Sequence, residues 1–514
     1  PALLVDSANR VHLFYRDLEG TMWGVLKVIT YEGDRWTGPR RVRDKKIQDA
    51  LNLIWDYSAA LDDHNRIITI WDSLYVKRLG FAAAVHPTLP LPLPVRPASP
   101  FVTRGTPGDD PGRPGWPQRP RREPARMTIG GREHVLLFGD THSHSWTSDG
   151  IDPADWYYHY ARDIAGLDYY ALSDHDFTIC NTPGLEAYIA FLPKVFNQPD
   201  FVCFQAYEFS SQKTGHRVVV FEGDDRPTFS FTRPPKNYSN TNDELYPFLR
   251  RFALTPDSRV LVTAHNMAQL GNNFTGLDTG LEPLYDVTSL WTTADKPYRE
   301  RQSAGDSGNG GIWVVIGKIL DLGKTPEQKA LWNTCWRDCL DDGLRLGAWG
   351  GSDTHAANGL GFVVSGVWAE GKDRRSIFDA MHGRRTLAVD SAIRLADCDI
   401  HRKAEFVKKD DRMLRPVLRF ELDGGFMESS ARTATAPTAL VFVEGSDPGD
   451  PLRAVVIVKD GKDAASFAGD GKDRMEAKWR DEGFKPGRHY YYARAEFESG
   501  KVAFSSPVFV GFPV

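Results

Sequence analysis

Apolar residues between positions 128 and 395 fall into short runs that alternate with amphipathic segments of helical period. The runs have the length of buried strands, and most end in polar or charged residues. Strand candidates are "HVLLFGD", "DYYALSD", "FVCFQAYEF", "HRVVVFEG", "RVLVTAH", "LYDVTSL" and "LRLGAWGGSD". Helices are predicted at Pro153–Ile164, Glu244–Phe252, Pro326–Leu340 and Arg375–His382. Such an alternation predicts βα units around a parallel sheet.

Residues 1–86 show the pattern of short strands separated by turns. Two segments, "DSANRVHLFYR" at Asp6–Arg16 and "DDHNRIITIWD" at Asp62–Asp72, begin 56 residues apart and share one pattern. This spacing is close to that of a four-stranded propeller blade, so we predict a β-rich, propeller-blade-like segment from the end of a longer propeller. The alternative is a chance repetition of β-patterning.

The pattern changes twice more along the chain. Residues 87–127 are dense in Pro, Gly and Arg. Because proline lacks an N–H and fixes φ, an extended linker is predicted there. Residues 396–514 return to alternating strands such as "VLRFEL" and "AVVIVKDG", which predicts a C-terminal antiparallel β-sandwich. The flanking β-modules favour an extracytoplasmic location.

Composition narrows the classes of function. With 514 residues, 41% of them hydrophobic and 25% charged, the chain is expected to be globular with more than one domain. The formal net charge of −5 gives no electrostatic reason to expect a nucleic-acid partner, and no apolar run in the sequence has the length of a membrane span. The five cysteines form neither a CxxC pair nor a disulfide framework.

Six histidines lie at strand ends, where barrels of βα units place their chemistry. They are His142, His144, His175, His216, His265 and His355. The carboxylates that accompany them are Asp149, Asp174, Glu208 and Asp353. One such histidine is most simply a hydrogen-bonded core or surface residue, but six of them predict a metal site. The two histidines of "HSH" are two residues apart, so in an extended chain both imidazoles point to the same side. Imidazole with carboxylate suits Zn²⁺, Mn²⁺ or Fe.

In order and spacing, six motifs resemble those of the PHP (polymerase and histidinol phosphatase) metallohydrolase superfamily: "DTHSHSWTSDG", "GLDYYALSDHD", "AYEFS", "GHRVVVF", "TAHN" and "GGSDTH". The resemblance covers residues 128–395. It implies an α/β fold, a distorted (β/α)7 barrel, with two to three divalent metal ions (Mn, Zn or Fe). It also implies hydrolytic activity, usually on a phosphoester.

The resemblance also implies nine metal ligands. One ion would be held by His142, His144, Glu208 and Asp353, a second by Glu208, His216 and His265, and a third by Asp149, His175 and His355. Asp149 stands where many relatives have histidine, and His265 stands where others have cysteine. Asp140 and Asp174 would orient imidazoles through the ring nitrogen that faces away from the metal. Asp353, His216 and Glu208 are also predicted to be catalytic.

The implied reaction is hydrolysis by a metal-bridged hydroxide, because two ions about 3.5–4 Å apart can lower the pKa of a bridging water toward about 7. A phosphate substrate should also have a cationic clamp. Lys213, Arg217 and the pair Arg384–Arg385 are candidates, although the arginine pair would also suit the end of the preceding helix. One alternative is a metalloenzyme of the same barrel that acts on a saccharide or uronate, and another is a non-catalytic structural module.

A long insertion separates His265 from Asp353. Within it, Asp286, Trp291 and Tyr298 could line a substrate pocket or could be core and loop residues, and the sequence favours neither. The expected partner is a small-molecule or saccharide substrate, and the oligomeric state stays open.

Overall fold

The structure is a computed structural model of the chain. It describes residues 2–6, 8–17, 25–42, 57–61, 66–75, 78–85, 123–179, 183–211, 213–230, 241–253, 259–265, 272–290, 293–296, 332–333, 335–391, 413–427, 430–431 and 435–512. The secondary structure is mixed α/β with mostly sheet content. The chain divides into two compact units, one within residues 1–116 and the other within residues 117–397 and 406–514. The domain boundaries at residues 86, 127 and 395 stay predictions.

The N-terminal unit contains two antiparallel sheets. In the first, strands β1 (Ala2–Val5), β2 (Val11–Asp17), β3 (Val25–Tyr31) and β4 (Arg40–Arg41) pair in sequence order. In the second, β5 (Tyr57–Leu61), β6 (Ile67–Tyr75) and β7 (Arg78–Val85) do the same. Phe14, Leu26 and Val28 form the centre of a small core. The strands agree with the predicted β-rich segment, and its assignment to a propeller stays a prediction.

The central part of the second unit carries the predicted metal ligands. Its strands are β8 (Arg126–Ile129), β9 (Arg132–Asp140), β10 (Tyr169–Tyr170), β11 (Val202–Cys203), β12 (Gln205–Ser211), β13 (Gly215–Phe221), β14 (Val260–His265), β15 (Asn272–Asn273), β16 (Leu284–Thr288), β17 (Trp332–Asn333), β18 (Gly347–Gly350), β19 (Val363–Ala369) and β20 (Thr386–Asp390). One sheet includes the order β11-β10-β9-β19-β20, and the other has the order β12-β13-β14-β16-β18.

Among the described residues these two sheets do not join into a closed barrel, so the predicted (β/α)7 barrel is not seen as a continuous ring of paired strands. The second sheet is mixed in direction, since β12, β13 and β14 pair antiparallel, whereas β14, β16 and β18 pair parallel. Where β18 approaches β19, the Ser365 hydroxyl takes the place of a backbone ladder: it accepts from Gly350 N and donates to Gly350 O, both at 2.8 Å. The sheets are otherwise bridged at single residue pairs, one of which is His175 with Glu208.

Helices cover the sheets. They are α1 (Ala154–His159) with a following π-helical turn at Tyr160–Ile164, α2 (Asp176–Ile179), α3 (Pro183–Phe196), α4 (Asn242–Phe252), α5 (Trp336–Asp341), a 3-10 turn at Ala357–Gly359 and α6 (Arg374–His382). In α4, Leu245 and Leu249 lie one turn apart and are fully buried, as an amphipathic helix requires. The helix predicted at Pro326–Leu340 is wrong at Trp332–Asn333, which form strand β17 by pairing with β15. Residues 326–331 and 334 lie outside the described part of the chain, and α5 supplies the end of the predicted helix.

The C-terminal part is antiparallel except for one short parallel pair. Its strands are β21 (Val417–Leu422), β22 (Gly425–Phe426), β23 (Ser430–Ala431), β24 (Thr438–Glu444), β25 (Leu452–Lys459), β26 (Lys462–Ala468), β27 (Arg474–Arg480), β28 (His489–Phe497), β29 (Val502–Ser505) and β30 (Val508–Val510). One sheet has the order β22-β21-β24-β27, and another continues from β20 as β29-β28-β25-β26. Phe420 and Val441 of the former share one core with Ile457 and Ala493 of the latter. The sandwich itself stays a prediction. Among the described residues, no helix is long and apolar enough to cross a membrane.

Candidate metal centre

The nine predicted ligands come from separate segments of the chain that meet where the two sheets face each other. Seven of them lie in strands β12–β14 or just beyond the ends of β9 and β18, namely His142, His144, Glu208, His216, His265, Asp353 and His355. His175 lies before α2, and Asp149 lies in the loop that follows β9. Single bridges from Ser143 to Thr354 and from His175 to Glu208 hold these strand ends together. The structure therefore brings all nine side chains into one cluster.

Glu208 lies at the centre of one group of imidazoles. Its Oε1 is 2.7 Å from His216 Nδ1, and its Oε2 is 3.0 Å from His175 Nδ1 and 3.1 Å from His144 Nε2. His142 Nε2 is farther away, at 3.6 Å from Oε2. The carboxylate is 1% exposed, so its charge must be balanced by these rings or by a cation.

Asp353 lies at the centre of a second group. Its Oδ1 is 3.0 Å from His144 Nε2 and 3.5 Å from His142 Nε2, and its Oδ2 is 3.2 Å from His265 Nε2. The structure thus groups His265 with His142 and Asp353. The resemblance instead implied that His265 binds an ion together with Glu208 and His216. How the ligands divide among ions stays a prediction.

Asp149 joins the third group and is its most exposed member. Its Oδ2 is 3.2 Å from His355 Nε2 and 3.4 Å from His175 Nε2, and its Oδ1 is 3.8 Å from His144 Nδ1. The side chain of Asp149 is 31% exposed, whereas that of His144 is 0% exposed. The cluster therefore opens to solvent beside Asp149.

The lone pairs in this cluster fit a cation better than they fit one another. Among the described residues, His142 Nε2, His144 Nε2 and Glu208 Oε2 are buried and have no hydrogen-bond partner, although the two nitrogens lie 3.6 and 3.1 Å from the carboxylate oxygen. Ligand atoms bound at about 2.0–2.2 Å to one ion are separated by about 3.0–3.5 Å. Nitrogen and carboxylate oxygen donors suit Zn, Mn or Fe. The residues present thus fit the divalent ions that the resemblance implies.

Interactions among the side chains of the cluster shift several pKa values. Burial alone would lower the pKa of His142, but Asp353, Asp286 and Glu208 raise it well above its ordinary value. Burial would raise the pKa of Glu208, and the surrounding imidazoles, His175 first, hold it well below its ordinary value. In the same way Asp149 outweighs burial at His355 and raises its pKa to about 9. The cluster therefore stores paired charges that a cation can replace by displacing protons.

The backbone at two positions permits this convergence. Asp353 has φ of 52°, a left-handed conformation that Asp tolerates better than most residues, and this turn presents its carboxylate to the imidazoles. At Gly150, an added Cβ would lie 1.8 Å from the carbonyl oxygen of His144, so the loop that returns past His144 needs glycine.

Asp140 and Asp174 lie beside the cluster, but their contacts differ from the predicted ones. Asp140 Oδ1 accepts from the backbone amides of His142 and Ser352 at 3.0 and 3.2 Å. Asp174 Oδ1 accepts from Ser145 N at 2.7 Å and from Ser148 Oγ at 2.6 Å, and that hydroxyl in turn lies 3.5 Å from His144 Nδ1. Both carboxylates thus shape the chain around the ligands, and neither forms a described hydrogen bond to an imidazole.

Sequence reasoning missed which groups support the imidazoles directly. Asp286 Oδ2 accepts from His142 Nδ1 at 3.1 Å, and Ser210 Oγ lies 2.8 Å from His175 Nδ1. Ser210 follows Glu208 by two residues, a signal that the sequence offers, since alternate residues of a strand share a face. Trp291 and Tyr298 lie outside the described residues.

Three of the four clamp candidates are engaged elsewhere. Arg217 is fully buried and donates to Glu282 and to the backbone carbonyls of Thr214, Gly215 and Asn273. Arg385 Nε donates to Trp368 O at 3.2 Å. Arg384 lies against Gly347 at the start of β18, the end of that strand that is remote from Asp353. Lys213 is exposed.

Comparisons with known proteins give two similarities. A family model described as a protein of unknown function (DUF3604) matches residues 167–285. The crystal structure of a two-domain protein containing a predicted PHP-like metal-dependent phosphoesterase, from Bacteroides vulgatus ATCC 8482, is similar with 16% identity and a TM-score of 0.31, over 73% of this chain and 94% of that one. No curated protein matches this chain.

Proposed function

We propose that this chain is a metal-dependent hydrolase that acts on a phosphoester, with its reaction centre at the cluster of nine ligands. One observation carries the proposal: buried imidazole and carboxylate lone pairs converge at metal-ligand spacing, and His142 Nε2, His144 Nε2 and Glu208 Oε2 have no hydrogen-bond partner among the described residues. A structural protein gains nothing from such unpaired buried groups, because each destabilises the fold.

Glu208 and Asp353 are proposed to bind ions together with the imidazoles that surround each of them, and Asp149, His175 and His355 are proposed as the ligands nearest to solvent. When bound, the two to three divalent ions (Mn, Zn or Fe) would polarise the bond to be cleaved and lower the pKa of a water. The chain's own contribution is to neutralise that positive charge with buried carboxylates, to exclude bulk water around His142 and His144, and to admit substrate beside Asp149.

A second candidate is hydrolysis of a non-phosphate substrate such as a saccharide or uronate. The position of Arg217 favours this candidate, because its guanidinium is 0% exposed and bonded to Glu282, so it is not available to bind a phosphate. Among the described clamp candidates only the exposed Lys213 remains to meet a phosphate. Phosphate recognition normally uses charged donors in a defined geometry, which one flexible lysine does not supply.

Elemental analysis of the purified chain after metal reconstitution tests the proposal. We expect about two to three equivalents of Mn, Zn or Fe, and their loss from a double variant, His142→Ala with His144→Ala. The matched control is His134→Ala, which removes a buried imidazole that bonds to Arg132 O and lies outside the cluster. Less than one equivalent in the wild-type chain would contradict the metal-dependent function.

The metal-loaded chain is then assayed on phosphomonoesters, phosphodiesters and glycosides. Turnover of a phosphoester that the double variant lacks supports the phosphoesterase proposal. Turnover of glycosides or uronides alone would replace it with the second candidate. Metal binding without turnover of any of them would leave neither hydrolase proposal supported.

A further inference from the structure

Asp286 occupies a place beneath the metal centre that neither its sequence context nor the nine implied ligands assign. It lies in β16 and is directly opposite His265 of β14 in the parallel register. Its side chain is 1% exposed, and it belongs to none of the groups that could hold an ion. A carboxylate so deeply buried needs partners that balance its charge.

Two imidazoles supply that balance. Asp286 Oδ2 is 3.1 Å from Nδ1 of His142 and 3.3 Å from Nδ1 of His265. The two rings are perpendicular, with centroids 4.3 Å apart. Their other nitrogens both face Asp353, at 3.5 Å from His142 Nε2 and 3.2 Å from His265 Nε2. Each ring therefore has Asp286 on one side and the metal centre on the other.

We infer that Asp286 is a positioning residue that orients His142 and His265 together, by accepting the Nδ1 proton of each ring and so directing both Nε2 lone pairs to the same ion. The inference rests on the proposed function, since it concerns how the same centre binds its metal. A carboxylate behind a ligating imidazole fixes the ring's tautomer and raises its basicity. Here one carboxylate serves rings that come from different sheets, because His142 follows β9 and His265 ends β14.

Packing around the carboxylate keeps it in place. An added Cβ at Gly351 would lie 2.7 Å from Asp286 Oδ2 and 2.8 Å from His142 Cβ, so the chain passes against this pair as closely as a glycine allows. Asp286 Oδ1 and His265 Nδ1 are both buried without a hydrogen-bond partner among the described residues, so each keeps the capacity that a second hydrogen bond from imidazole to this carboxylate requires.

The test is Asp286→Asn in the full chain, with metal affinity measured by chelator competition for Zn²⁺ and by the absorption spectrum of the Co²⁺-loaded protein. An amide has one acceptor oxygen and no charge, so we expect about a 10–100-fold loss of affinity for one equivalent of metal and an altered Co²⁺ spectrum. The matched control is Asp390→Asn. Asp390 is also buried and accepts from Thr288 Oγ1, in the same strand as Asp286, and from Thr293 Oγ1 at 3.1 Å. The control should keep wild-type affinity.

A second measurement does not depend on the variant folding. Ring ¹⁵N NMR of the Zn²⁺-loaded wild-type chain, assigned with His142→Ala and His265→Ala, should show both rings protonated at Nδ1 and bound through Nε2. Unchanged affinity in Asp286→Asn, or a ring bound through Nδ1, would overturn the inference while leaving the metal centre intact. A wild-type chain that binds no metal would instead contradict the proposed function.

Discussion

Two neighbouring residues of β13 enter two different buried clusters of charge. His216 belongs to the metal centre, where its Nδ1 lies 2.7 Å from Glu208. Arg217 points to the other face of the strand, where its Nε donates to Glu282 at 3.1 Å and its two terminal nitrogens donate to three backbone carbonyls. Tyr246 donates to the same carboxylate.

The difference lies in how donors and acceptors are matched. In the Arg217 cluster the guanidinium donates to one oxygen of Glu282 and to three backbone carbonyls, so a cation of the chain itself balances the buried carboxylate, although Glu282 Oε1 has no hydrogen-bond partner among the described residues. In the candidate metal centre, imidazole nitrogens and carboxylate oxygens converge at distances near 3 Å, and among the described residues His142 Nε2, His144 Nε2 and Glu208 Oε2 have no hydrogen-bond partner. Buried charge alone therefore does not identify a site, whereas buried donors that converge at the spacing of metal ligands are what the proposed metal binding requires.

The substitution with the largest expected effect is Arg217→Met, which tests whether the Arg217 cluster stabilises the fold. It leaves Glu282 buried without its cation, and removing one partner of a buried pair typically lowers the free energy of unfolding by about 3–5 kcal/mol. Urea unfolding of the metal-free chain measures the loss. At a temperature where the variant is folded, its metal content should equal that of the wild type.

The double variant Arg217→Met with Glu282→Gln is the control, because it removes both charges and should recover part of the loss. A single variant that unfolds like the wild type would show that the Arg217 cluster does not stabilise the fold. A variant that loses metal while staying folded would show that the two clusters are not independent.

Removal of metal tests the cluster on the other face of β13, the face that carries His216. Ions bound at a free concentration of about 100 times Kd stabilise the folded chain by about 2.7 kcal/mol. We therefore expect a chelator to lower the melting temperature of the wild type more than that of His144→Leu, which has lost one ligand of the cluster. An equal fall in the two proteins would contradict this.

A third buried carboxylate, Asp6 in the N-terminal unit, also has its acceptors matched by donors of the chain, and we expect a smaller effect on stability there. Asp6 accepts from the backbone amides of Ala8 and Arg10, from the Arg10 side chain and from His12. Burial would raise its pKa, but the hydrogen bonds from His12 and Arg10 hold the pKa below its ordinary value. Its stabilising effect is thus complete above the unfolded pKa near 4 and is lost as the pH falls through the lower folded value.

Asp6→Asn should therefore lower the stability of this unit by about 1 kcal/mol at neutral pH. Hydrogen exchange of β1–β3 measures it. The difference between variant and wild type should shrink in acid below the folded pKa, and a difference that grows in acid would contradict the assignment.

The residues of the candidate site could be predicted from sequence because residue type and strand position are local properties. A His or carboxylate at a strand end is visible without knowing which strands pair, and the structure brings all nine together. Whether the two sheets join by backbone pairing was not accessible, since it depends on the approach of β18 to β19, where the Ser365 hydroxyl replaces a ladder. The role of Asp286 was also ambiguous in the sequence, because it depends on which strands and loops lie beside it. Its role follows from the register that sets it opposite His265 and from the approach of His142 in the other sheet.

The pairing of β20 with β29 has a consequence for any attempt to isolate the metal centre. Leu387–Asp390 pairs with Val502–Ser505, so the sheet that carries β9 continues into strands more than a hundred residues later in the chain. A fragment that ends at residue 395 would expose β20 as an apolar, unpaired edge, and such edges recruit other chains. We expect that fragment to aggregate, and the intact region from β8 to β30 to unfold in one cooperative transition.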